Sequence, residues 1–105
     1  VGNTTFIEGT QTVTTKVSSR PPMERTEANA KLFADILAAS RKYGLGELCE
    51  NSVTGGSDAA YTTIAGIPTV DDMGPLGGDY HTTDEWIDIP SLSGSAKIIA
   101  AYIIG

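Results

Sequence analysis

The chain has one cysteine and one histidine in 105 residues. A single cysteine excludes an internal disulfide framework and a Cys-rich zinc finger. A single histidine cannot complete a zinc site, which takes three or four ligands. No apolar run approaches the ~20 residues of a membrane span; the longest, Ile98–Ile104, is far too short and follows Lys97. Positive charge is also scarce: 7 Lys and Arg stand against 13 Asp and Glu, a formal net charge of −6. That balance argues against nucleic acid and anionic membrane surfaces as partners. Val1–Thr5 lacks the basic-then-apolar order of a secretory leader. The chain does not start with Met, so a processed product or a cut-out piece is expected.

What is present reads as globular. The 40% hydrophobic and 19% charged content is that of a folded chain. A chain of this length makes one ordinary domain or less and can hide roughly two thirds of its unfolded surface. Charge is unevenly placed. Six of the seven basic residues lie before residue 43, whereas Asp71–Asp88 holds six acids, His81 and no Lys or Arg. Such a stretch is ordinarily a solvated loop; with a histidine inside it, it is also a candidate rim of a cation site.

Val13, Thr15 and Val17 alternate through residues 11–18, the pattern of a half-buried strand, and Pro21-Pro22 ends it. Thr26 is placed to cap a helix running to Tyr43, with Ala28, Leu32, Ile36 and Ala39 as its apolar stripe, widened by Phe33 and Leu37. Gly44 follows as a left-handed stop. Glu47–Val53 predicts a short strand, Ala59–Ala65 a short helix closed by Gly66, Thr69-Val70 a strand and Trp86–Ile89 another. Pro90 suits the first turn of a last helix, with Leu92, Ala96, Ile99 and Ile103 on one face. Strand and helix alternate, which points to an α/β fold with a parallel component. Few strands against so much apolar helix surface leave open sheet edges, so neighbours are missing, supplied by more chain or by another copy.

Gly55-Gly56-Ser57-Asp58 precedes the short helix. Glycines there let a ligand approach the backbone, the first helical amides lack internal partners, and Ser57 adds a hydroxyl. A carboxylate or phosphate fits; a plain turn capped by Ser57 or Asp58 fits the local pattern better. His81 is a satisfied hydrogen-bonding residue or one metal ligand. Cys49, beside Leu48 in an expected strand, reads as a buried structural cysteine. Arg20 is a carboxylate clamp or a surface charge.

The order of these features narrows the reading. Gly55-Gly56-Ser57-Asp58-Ala59-Ala60, Gly66-Ile67-Pro68-Thr69-Val70, Gly74-Pro75 with Gly77-Gly78, Tyr80-His81-Thr82 and Glu85-Trp86-Ile87 follow one another. The succession resembles the C-terminal signature of the M20 family of metallopeptidases, in its glutamate carboxypeptidase and acetylornithine deacetylase branch. Arg20-Pro21-Pro22-Met23-Glu24-Arg25-Thr26 is similar to the segment where that family's chain returns from its lid domain. The resemblance runs from about residue 12 to 104.

The resemblance implies a two-domain hydrolase with a pair of zinc ions (or cobalt), a lid that also dimerises, and cleavage of an amide bond next to a free carboxylate. It places His81 as a metal ligand and Gly56 and Ser57 beside the substrate, with Arg20 a further substrate-binding candidate. The family's His-x-Asp segment and Glu-Glu pair, which contains the general base, have no counterpart in this sequence. No catalytic base is therefore expected in this chain. It reads as the C-terminal part of a three-layer α/β/α zinc-exopeptidase-like catalytic domain, residues 20–105, preceded by the last strand of a lid, residues 1–19. Expected partners are a small peptide or acyl-amino-acid substrate, the remainder of the parent chain and a second copy in a homodimer. No nucleic acid and no membrane are expected, and the location expected is cytoplasmic. The alternative is a non-catalytic α/β binding or assembly module that keeps the scaffold without a complete metal site.

Overall fold

Thr26 opens the first helix as the sequence requires: its side-chain oxygen accepts from the Asn29 amide at 3.1 Å. The computed structural model describes residues 6–105, so the first five residues of the expected lid segment lie outside the described residues. Helix α1 spans Glu27–Lys42, with Glu27 in its first turn and Arg41 and Lys42 in its last, matching the helix dipole at both ends. Its end is a Schellman motif: Leu45 N donates to Ser40 O at 2.8 Å and Gly44 N to Arg41 O at 3.1 Å, with Gly44 left-handed at φ 65°. Helix α2, Ala59–Ile64, ends the same way through Gly66 and Ile67. Helix α3, Ile89–Ile104, starts with Pro90 in its first turn and packs against α1. Strands β1 (Gly77–Gly78) and β2 (Trp86–Ile87) form an antiparallel pair in the register Gly77–Ile87 and Gly78–Trp86.

Helices and this small sheet are compatible with an α/β class, but the expected strands at 11–18, 47–53 and 69–70 are not formed. Val13 and Val17, the intended inner face of the first, are exposed. A β-branched alternation supplies propensity, while a strand exists only where another backbone takes up its N–H and C=O groups. Instead, ion pairs hold the 47–50 stretch: Arg41 meets Glu47 at 2.6 Å and Arg25 meets Glu50 at 3.0 Å. The sheet that does form is one antiparallel pair, so the described residues carry no parallel component. Cys49 is exposed, not buried, because the strand meant to enclose it is absent.

The α3 face is also turned from its expected phase, whereas α1 largely keeps the expected one. On α1 the expected Leu32, Phe33, Ile36, Leu37 and Ala39 face inward, joined by Asn29 and Ser40, and Ala28 is the one member of the expected stripe that is exposed. On α3 it is Ser91, Ser95, Ile98 and Ala101, while Leu92, Ala96, Ile99 and Ile103 stay exposed. Buried apolar side chains among the described residues are Ile36, Ala60 and Ala101. The chain exposes 8363 Å², against about 5,600 Å² for a compact monomer of this mass. Among the described residues no helix is long and apolar enough to cross a membrane.

Candidate functional site

Two segments distant in sequence meet at the turn before α2. Arg20 Nη2 lies 3.1 Å from Asp58 Oδ1, and the aliphatic part of the Arg20 side chain passes over Gly56. A Cβ on Gly56 would stand 3.3 Å from Arg20 Cδ, tighter than ordinary contact, so a side chain there would push the arginine aside by a few tenths of an ångström. Ser57 Oγ accepts from Ala59 N at 3.1 Å. A hydrogen bond from the Ser57 hydroxyl, and then one from the Asp72 backbone, hold the Asp71 carboxyl below the usual carboxylate range. Arg20, Gly56 and Ser57 thus come together, and Asp58 and Asp71 join them.

The start of α2 differs from the expected anion site in one respect. The amide of Ala59 is taken by Ser57 Oγ, and those of Ala60 and Tyr61 by the carbonyls of Ser57 and Asp58 at 3.3 and 3.0 Å. These donors are already satisfied, and two carboxylates stand nearby. An anion approaching this turn would meet the Arg20 guanidinium, which has five N–H donors, more than one ion pair uses.

His81 sits elsewhere, on the exposed connection between β1 and β2. Thr82 folds that connection, its N and Oγ1 donating to Asp79 O at 3.2 and 2.6 Å. Tyr80 Oη donates to Gly77 O at 3.0 Å. Asp79 and His81 both have left-handed backbones, φ 54° and 65°, a conformation uncommon outside glycine in which Asp and His are enriched. The root of this hairpin is fastened to α3: Leu76 N donates to Ser91 Oγ at 2.9 Å and Asp88 N to Leu76 O at 2.8 Å. A cavity of about 430 Å³ opens between hairpin and helix, lined by Asp72, Met73, Pro75, Tyr80, Trp86 and Ile98 among others. Among the described residues no three His, Cys, Asp or Glu side chains gather where they could hold a metal ion. This chain's own residues therefore do not fit a complete metal site; His81 offers one imidazole.

One residue at the centre of the arrangement carried no signal in the motif reading. Asn29 is buried, and its amide joins three segments: Nδ2 donates to Glu24 O at 3.2 Å and Thr63 Oγ1 at 3.1 Å, and Oδ1 accepts from Thr69 N at 2.8 Å. The available clue was its place on the inward face, at helical spacing from Leu32 and Ile36.

The sequence model of peptidase family M20/M25/M40 matches residues 5–105. Carboxypeptidase G2 of Pseudomonas sp. (strain RS-16) is 31% identical over 86 residues, which cover 81% of this chain and 21% of that protein. The chain thus spans about a fifth of the length of the curated relative it matches. No solved structure matches it.

Proposed function

The chain belongs to peptidase family M20/M25/M40, and from that membership we propose that it is the C-terminal part of a metal-dependent hydrolase that cleaves an amide bond beside a free carboxylate. The observation that carries this reading is the meeting of Arg20 with the Gly56–Asp58 turn. A guanidinium there, beside a position without a side chain, suits a planar carboxylate held by paired hydrogen bonds. The relative's name, a carboxypeptidase, agrees with a substrate carrying such a group.

In this reading Arg20 binds the substrate carboxylate, Gly56 gives it room, and Ser57 fixes the turn and touches the substrate. His81 contributes one neutral nitrogen to a metal site whose other donors, with the general base, lie in the rest of a longer polypeptide. The zinc pair, the lid role of residues 1–19, the homodimer and the cytoplasmic location belong to the same proposal. The 105-residue chain by itself is inactive.

The test compares the 105-residue chain with a longer polypeptide that contains it, each supplied with zinc or cobalt and a panel of acyl-amino acids and dipeptides. Turnover is expected from the longer form alone. His81→Ala in that form should cut turnover by more than about a hundredfold, since even partners behind a metal ligand cost 10–100-fold. It should also lower metal content while leaving the fold intact. Ser57→Ala should raise KM and leave metal content alone. Metal-dependent turnover by the short chain, lost with His81→Ala, would sink the reading. A longer polypeptide that folds yet binds no metal would favour a non-catalytic scaffold.

A further inference from the structure

We propose that Asn29 is a positioning residue: its buried side chain fixes the Arg20-bearing segment, α2 and the 69–72 segment against one another, and so holds Arg20, Ser57 and Asp71 as one constellation. Calling that constellation a substrate site rests on the reading above; the clamp itself does not.

The chemistry of the amide makes the arrangement specific. A primary amide has two N–H donors and one carbonyl acceptor, and here each is committed. Thr69 N is a donor and must face Oδ1, at 2.8 Å; Glu24 O is an acceptor and must face Nδ2, at 3.2 Å. The amide cannot be turned over without breaking both. The remaining donor reaches Thr63 Oγ1 at 3.1 Å, and Asn29 N holds the Thr26 cap at 3.1 Å. With 6% of its surface exposed, Asn29 leaves little access for water to replace a lost partner.

Each partner leads directly to a site residue. Glu24 continues the segment that begins at Arg20. Thr63 lies in the short helix that Ser57 and Asp58 introduce. Thr69 lies two residues before Asp71, whose carboxyl Ser57 helps to hold below its usual range. A second tie runs beside the first, Thr69 Oγ1 to Thr62 Oγ1 at 2.8 Å. Asn29 is thus where the three site-bearing segments join α1. A leucine of similar size would fill the space and offer none of the three bonds. An aspartate would keep the acceptor for Thr69 N and lose both donors.

Solution NMR of the 105-residue chain tests this without any assay of turnover. In Asn29→Leu, exchange of the Thr69 amide is expected to quicken at least ~10-fold, and the Asp71 carboxyl to titrate back in the ordinary aspartate range. The Ile36 and Ala101 methyl signals should stay in place. Asn29→Asp should restore most of the Thr69 protection. A residue that only adds stability would leave the Asp71 titration alone, so an unchanged Asp71 beside a faster Thr69 overturns the proposal. If Asn29→Leu does not fold, Thr63→Val removes one arm of the clamp. It must then shift Asp71 in the same direction by less, and an unmoved Asp71 again overturns the proposal. Loss of the hydrolase reading would leave these outcomes untouched, and their failure would leave that reading standing.

Discussion

Arg20 and Asp58 pair at 3.1 Å across the Gly56 turn, with side chains half and largely exposed. An ion pair so open to water contributes little to stability, less than about 1 kcal/mol. Arg20→Ala is therefore expected to leave the melting temperature nearly unchanged. In the longer polypeptide it should weaken binding of a carboxylate-bearing substrate by about 10–100-fold, the worth of a hydrogen bond to a charged group. Arg20→Lys keeps the charge without the fork and should recover part of that loss. Calorimetry beside substrate titration separates the two effects. A large fall in stability with unchanged binding would mark Arg20 as a structural residue.

Asp71 sets a second expectation. The Ser57 hydroxyl and the Asp72 backbone hold its folded-state carboxyl below the ordinary value of 3.8. A depressed carboxyl stabilises the fold above its unfolded value, and that contribution fades as the pH falls through the lower, folded one. Acid unfolding followed by circular dichroism should therefore show the wild-type chain losing stability more steeply below about pH 4 than Asp71→Asn. Ser57→Ala should flatten the curve in the same way. Identical acid limbs for all three proteins would show that Ser57 does not act on the Asp71 carboxyl.

The exposed apolar surface leads to a third. Val17 and Ile104 are 92% and 79% exposed, and an open groove of about 470 Å³ between α1, α3 and the 67–70 stretch is lined by Leu32, Ile67, Val70, Met73, Ile99 and Tyr102 among others. Apolar area of this extent is uncommon on an isolated soluble monomer. Light scattering over a concentration series should show the chain associating as it is concentrated. A clean monomer of 11.0 kDa with a high melting temperature would show that the chain needs no neighbour.

Local chemistry was readable from the sequence because it acts within a few residues. Thr26 caps its own third residue, Gly44 and Gly66 close helices through bonds five residues long, and Pro90 sits where a missing N–H costs nothing. The family was readable for a related reason: the Gly56-Ser57 turn and the Tyr80-His81-Thr82 segment keep their order and spacing along the chain. Strands were readable only at Trp86–Ile89, where Trp86 and Ile87 pair; Val13, Thr15 and Val17 carry the propensity too, but only a paired backbone can realise it. Nor was the phase of α3, or the edge of the α1 stripe. Ala28 and Leu92 fit an apolar stripe as well as their neighbours, and the packing of α1 on α3 chose Asn29 and Ser91 for the inside instead. Most of all, no local rule connects Asn29 with Thr63 and Thr69, or Arg20 with Asp58. Those contacts exist because three segments cross at one place, and a crossing is a property of the folded chain.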